Sequence, residues 1–190
     1  MIFKNFLNIK NNKIIKKDFL NLLEDQPLFF ETLKSTYNYS YSKKKISKYK
    51  KFSNIRIIGM GGSILGTEAI YDFLKKKIKK KLTFVNNLNS NADYFKDKNI
   101  NLNLIISKSG NTLETITNAN TLIKNRESNI IITEDKDSYL TNLASKLKAE
   151  IFEHKNYVGG RFSVLSEVGM LPVELMNLDE SKFKRFNGLI

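Results

Sequence analysis

The chain has 190 residues, 41% of them hydrophobic and 13 of them Phe, which suits one α/β domain with a packed core and argues against disorder. It has no cysteine and a single histidine, His154, which excludes disulfides and thiolate metal sites and leaves a multi-histidine zinc site without ligands, so no metal or cofactor is expected. The formal charge of +13 rests on 28 Lys and only four Arg spread along the chain, a bias shared with abundant Asn and Ile that fits an AT-rich coding sequence, and specific nucleic-acid binding is not expected.

The first seventeen residues break every apolar run with Lys or Asn, so they lack the hydrophobic core of a signal peptide. No later run approaches the roughly 20 apolar residues of a membrane span, and the expectation is a soluble, cytoplasmic protein. Residues 1–50 read as a polar helical arm, with amphipathic pieces (Phe19, Leu20, Leu22, Leu23, then Leu28, Phe29, Phe30, Leu33) around Pro27 and a Tyr/Ser/Lys-rich stretch to Tyr49. From residue 51 to 190 the pattern is that of one domain. Short β-branched runs at 54–59, 82–86, 102–107, 129–133 and, more weakly, 149–153 alternate with helix-period segments at 64–78, 113–123 and 139–147. Strands without polar alternation, separated by helices, predict a doubly wound parallel five-stranded sheet. The dense run Lys75 to Lys81 closes a helix, where cations suit the carbonyl ends.

Ligands of such sheets bind beyond the carboxyl ends of the strands. The first strand runs into Gly59-Met60-Gly61-Gly62-Ser63, where glycines let backbone N–H groups approach an anion at a helix start. Many Gly-rich turns are only tight connections. This one lacks the Gly-Lys-Ser/Thr of a Walker loop, and Ile64 stands where a dinucleotide fingerprint needs its third glycine. The third strand ends in Ser107-Lys108-Ser109-Gly110-Asn111-Thr112, a second anion cradle of hydroxyls, one cation and a flexible glycine before a helix. An alternative for its last residues is a capping box, Asn111 with Glu114, which leaves Glu114 no catalytic role. After the fifth strand comes Val158-Gly159-Gly160-Arg161-Phe162-Ser163, with an apolar helix following (Val164, Leu165, Val168, Met170, Leu171). By spacing alone Arg161 is a surface arginine behind a tight turn.

In order, GMGGS (59–63), SKSGNTLET (107–115) and VGGRFSVLSEVGMLP (158–172) resemble the phosphoglucose isomerase family within the wider class of sugar isomerase (SIS) domains, over roughly residues 50 to 180. SKSGNT-like loops occur across SIS proteins, whereas the GGRFSVLS block is specific to the family. The resemblance implies a flavodoxin-like SIS fold and a phosphosugar substrate, glucose 6-phosphate or fructose 6-phosphate. Ser107, Lys108, Ser109 and Thr112 would hold the phosphate, with Gly110 and Asn111 shaping the loop. Gly62 and Ser63 would meet the sugar beside Gly160, Arg161 would lie beside the reacting carbons, and Glu114 would match a catalytic-site glutamate near the sugar that points away from Ser109 and Thr112. Family chemistry is aldose–ketose isomerisation in glycolysis and gluconeogenesis through a cis-enediolate, which a fixed positive charge stabilises. Ser109-Gly110-Asn111 replaces a bulkier, threonine-rich form of the second loop.

The family's proton-shuttling glutamate, ring-opening histidine and late lysine belong to a second domain not found before Ile190. His154, Glu167 and Glu174 do not match them. The resemblance therefore implies the substrate-binding N-terminal portion of an isomerase that is a homodimer when intact, inactive by itself; the alternative is a stand-alone SIS module that binds a phosphosugar without chemistry.

Overall fold

A computed structural model of the protein describes residues 13–25, 27–88, 100, 102–124 and 126–185. The start of the arm (residues 1–12), the side chain of Leu23 and Phe186 to Ile190 lie outside the described residues. Five strands form one sheet: β1 (Asn54–Gly59), β2 (Lys81–Val85), β3 (Leu102–Ile106), β4 (Ser128–Thr133) and β5 (Glu150–Glu153). Every pairing is parallel and the order is β2-β1-β3-β4-β5. The order reverses between β1 and β3, where Gly59 lies opposite Ile106. This is the switch point at which open α/β sheets bind ligands.

The α-helices of the described residues are α1 (Lys13–Asp25), α2 (Lys43–Ile46), α3 (Leu65–Leu74), α4 (Leu113–Leu122), α5 (Tyr139–Leu147) and α6 (Glu167–Leu175). None is long and apolar enough to cross a membrane. The two faces of the sheet are sorted by strand parity. Ile55, Ile57, Leu102, Leu104, Ile106, Ile130 and Ile132 pack with Ile64, Val168, Leu171 and the arm residues Tyr41, Ile46 and Tyr49. Ile58, Ile105 and Ile131 face Ala119 and Leu122 of α4 and Leu140 and Ala144 of α5. Burial on both faces explains why these strands carry no polar alternation.

Beside that second face lies a polar cluster. Arg56 Nη1 donates to Asn103 Oδ1 at 3.1 Å and to the Leu122 carbonyl at 2.9 Å, while Asn103 Nδ2 donates to Glu127 and to Asn129, both at 2.9 Å. Buried polar groups persist when their partners are close and oriented, as they are here.

Three local expectations are revised. The segment after Arg161 is not one helix: a 3-10 stretch, Gly160–Leu165, ends at Ser166, whose extended backbone and Oγ cap the separate helix α6. Helix 64–78 likewise splits into α3 and a 3-10 turn, Lys75–Lys77. The lysine run is not wholly a solvated helix end either. Lys80 is buried, donates to the Lys50 carbonyl at 2.6 Å, and has its pKa lowered first by burial and then by Lys50.

Candidate functional site

Two loops leave the sheet on either side of the switch point. The first, Gly59 to Ser63, turns through a 3-10 segment in which Gly61 has φ +54°. A Cβ on Gly59 would lie 3.1 Å from the Ile106 carbonyl, so the loop starts in contact with the end of β3. Helix α3 then begins without a side-chain hydrogen bond to its N-cap, Ile64.

The second loop, Ser107 to Thr112, is built more tightly. The Ser107 and Thr112 hydroxyls share a hydrogen bond of 2.8 Å, and Gly110 N–H donates to the Ser107 carbonyl at 3.1 Å. Gly110 has φ +69°, and a Cβ there would meet Ser138 Oγ at 2.2 Å. Asn111 N–H donates to Ser109 Oγ at 3.2 Å. The capping box does not form. Asn111 Oδ1 instead accepts the Tyr139 N–H at 2.8 Å, the N-cap of α4 is Thr112, and no side chain caps that helix. The reason is competition: a bond to the start of α5 fixes the loop against its neighbour, whereas a local cap fixes only itself. Glu114 sits half-buried in the first turn of α4, without a hydrogen-bond or ion-pair partner among the described residues.

Capping divides the helices in a telling way. Ser42, Ser138 and Ser166 each cap their own helix through a side-chain oxygen, whereas α3 and α4, which start at the switch point, have none. Their first N–H groups and partial positive ends are therefore available to an anion.

The third motif reaches the same place by a long path. β5 is the edge strand, yet Gly160 lies against Gly62, which follows β1. The segment 154–160 therefore crosses the carboxyl ends of β4 and β3. A Cβ on Gly62 would fall 2.2 Å from the Gly160 carbonyl oxygen, so the two backbones touch. Ser163 Oγ sits at 3.0 Å from the Gly62 carbonyl and 2.8 Å from that of Gly160, tying the loops together. Arg161 is exposed beside this contact with no hydrogen bond or ion pair among the described residues. It lines an open, mostly apolar groove of about 720 Å³ along α3, with Gly62, Leu65, Gly66 and Phe73. Ser107 to Thr112 take no part in that groove, so the anion cradle and the apolar groove are distinct features that meet near the switch point.

Lys108 is oriented by the crossing segment. Its Nζ donates to the Asn156 carbonyl at 2.6 Å and lies 3.6 Å from Glu134 Oε1. Glu134 also pairs with Lys136, and this hydrogen bond, ahead of Lys108's attraction, holds its carboxyl below the usual range although desolvation opposes it. His154 follows β5 as a strand-end residue, buried, with its N–H on the Thr133 carbonyl at 2.7 Å. Burial lowers its pKa, against the hydrogen bond with the Lys155 carbonyl. Glu167 is fully buried and accepts from Tyr37 Oη at 2.9 Å and from Lys155 N–H at 3.1 Å. Glu174 is engaged by Lys50 at 2.6 Å and Lys43 at 3.4 Å.

Sequence reasoning missed Ser138 under Gly110, Ser163 between the two glycines, and Asn156 and Glu134 around Lys108. Only Ser163 had a local signal, its place directly after the Gly-Gly-Arg turn.

Fold and loops together define a doubly wound α/β domain with two helix starts that lack side-chain caps at the switch point. The family model for phosphoglucose isomerase matches residues 7–188, and the chain belongs to that family. It is 36% identical to a glucose-6-phosphate isomerase of Acholeplasma laidlawii over 92% of this chain and 44% of that protein. It is 39% identical to one of Methanocaldococcus jannaschii over 72% of this chain and 37% of that protein. The chain thus spans less than half the length of these curated relatives. Among solved structures, a hypothetical protein of Thermus thermophilus superposes with a TM-score of 0.69 at 22% identity, covering 82% of this chain and 40% of that one. The tagatose-6-phosphate ketose/aldose isomerase of Escherichia coli gives 0.57 at 16%, covering 79% and 48%. These two likenesses concern the fold.

Proposed function

We propose that the chain is the phosphosugar-holding part of a glucose-6-phosphate isomerase, acting in the interconversion of glucose 6-phosphate and fructose 6-phosphate. The observation that carries this reading is the pair of uncapped helix starts flanking the switch point, one preceded by glycines and the other by the Ser107–Thr112 hydroxyl pair. In this reading the phosphate sits on the second loop, where Ser107, Ser109 and Thr112 hydroxyls and the α4 N–H groups donate to it. Gly62 and Ser63 meet the sugar at the loop edge against which Gly160 closes. Arg161 stands beside them as a fixed cation that opposes the charge of an enediolate; such preorganised donors typically contribute a few kcal/mol.

Moving a proton between C2 and C1 needs a base. Among the acidic and imidazole groups named above, Glu167 is engaged with Tyr37, Glu174 with Lys50, and His154 is buried with its pKa lowered by that burial, while Glu114, unpartnered among the described residues, does not match the family's proton-shuttling glutamate. This supports a division of labour in which the present residues bind and stabilise, and turnover by this chain alone is close to zero. The same observation favours a second reading, a binding module without chemistry.

Calorimetric titration of the chain with glucose 6-phosphate tests the binding. We expect micromolar-range affinity, weakened at least about tenfold in Ser107→Ala/Thr112→Ala, because two donors to a phosphate are lost at roughly 1 kcal/mol or more each. Undiminished affinity in the double variant would remove the second loop from the site. A coupled isomerase assay on the isolated chain that shows normal turnover would refute the missing base.

A further inference from the structure

Lys108 is the one cation in the second loop, and it is already engaged by protein. Its ammonium donates to the Asn156 carbonyl of the crossing segment at 2.6 Å and stands 3.6 Å from the Glu134 carboxylate. Backbone bonds make this arrangement stiff. The Lys108 carbonyl accepts Glu134 N–H at 3.0 Å and lies 3.4 Å from Thr133 Oγ1, so the carboxylate and the lysine are carried by strand ends pinned to each other. Glu134 is mostly buried and shared with Lys136, which keeps it ionised in place. A phosphate arriving at Ser107 and Thr112 therefore meets a lysine whose charge is largely offset.

We propose that Glu134 is a positioning residue of the cradle: its carboxylate holds Lys108 against the crossing segment and weakens the hold of the loop on a phosphate dianion. The inference rests on the phosphosugar reading above and adds a residue to it. The consequence is a loop that binds its ligand loosely enough to release it, since affinity within one site is set mainly through the off-rate. The ligand must compete with Glu134 and the Asn156 carbonyl for the same ammonium.

Glu134→Gln keeps size and hydrogen bonding while removing the charge. We expect it to bind glucose 6-phosphate roughly three- to tenfold tighter, the range that one partly screened charge contributes, and Glu134→Asp to stay near wild type. In a Lys108→Ala background the Glu134→Gln gain should vanish, because Glu134 acts through Lys108. Equal or weaker binding by Glu134→Gln, or a gain of the same size without Lys108, overturns the proposal. A ligand-free measurement separates this from the phosphosugar reading: the rate of Lys108 acetylation by an N-hydroxysuccinimide ester, followed by peptide mass spectrometry, should rise severalfold in Glu134→Gln. An unchanged rate overturns the restraint itself. A faster rate in Glu134→Gln, in a protein whose wild type binds no phosphosugar, retains the restraint and rejects the function.

Discussion

Gly61 and Gly62 are neighbours in the first loop, yet alanine at each should have very different effects. At Gly62 the added methyl would lie 2.2, 2.3 and 2.6 Å from the oxygen, carbonyl carbon and Cα of Gly160. All three are backbone atoms, so no rotamer change relieves the clash, and the two backbones must part by about 1 Å to regain ordinary contact. That separation stretches both hydrogen bonds of Ser163 Oγ, at 3.0 and 2.8 Å. Overpacking of this kind costs about 1–3 kcal/mol, and loosening the hydroxyl bonds adds about 1 kcal/mol. At Gly61 the methyl meets nothing within 4 Å, and only the φ of +54° opposes it, at about 1 kcal/mol. A chain of this size loses about 2–4 °C of Tm per kcal/mol. Calorimetric unfolding should therefore place Gly62→Ala about 4–16 °C below wild type and Gly61→Ala only about 2–4 °C below. Gly62→Ala should also weaken glucose 6-phosphate binding more than Gly61→Ala, because the shift carries Arg161 with it. Equal melting temperatures for the two variants would refute the backbone contact as the constraint.

Asn103→Ala removes the acceptor 3.1 Å from Arg56 Nη1 and the donor to Glu127 and Asn129 within a buried cluster; urea unfolding should show a loss of about 2–4 kcal/mol. Lys184 is buried against the rings of Tyr37 and Tyr39, each 4.6 Å from its Nζ, and burial lowers its pKa to about 8, against the attraction of Glu180 and Glu167. A lysine pKa below its unfolded value means that the unfolded chain binds more protons between about pH 8 and 10.5, so this residue makes stability rise with pH in that window. The raised pKa of Tyr39, due first to burial, works in the opposite direction above about pH 10. Between about pH 8 and 10, denaturant titrations should show the upward slope in the wild type, by about 1–2 kcal/mol once the cation–π contacts are allowed for, and lose most of it in Lys184→Met, the remainder coming from Lys80, whose pKa burial also lowers. An undiminished slope after the substitution would assign it to other groups.

The sheet was legible because burial on both faces leaves unbroken runs such as Ile55, Ile57 and Ile58 or Leu104, Ile105 and Ile106, a signal carried within a single short strand. The positions of the two loops at the switch point were legible for a related reason, since glycines and hydroxyls directly after a strand are local. What could not be read depends on partners distant in sequence. Tyr37 and Glu167 are 130 positions apart, and Gly62 and Ser163 are 101 apart. Tyr37, Tyr41 and Tyr49 belong to a segment without helical or strand period, and nothing local marks them as buried. The capping-box expectation failed in the same way. Asn111 and Glu114 have the right local spacing, but the Tyr139 N–H, 28 positions away, offers Asn111 a partner that no local rule contains.

The net charge of +13 invites a reading by counting cations, and the structure shows why that count says little about a ligand. Arg56 is buried in a polar cluster, Lys80 donates to a backbone carbonyl, Lys184 is enclosed by tyrosines, and Lys43 and Lys50 pair with Glu174. Each of these charges is committed to holding the domain together. Arg161 differs in being exposed, unpaired among the described residues, and fixed at its root by a backbone contact too close for any side chain. With no carboxylate partner among the described residues, its guanidinium donors face solvent. Its position is set by the crossing segment, which Lys108 anchors at Asn156. The second loop and the segment that carries Arg161 are thus joined through that hydrogen bond.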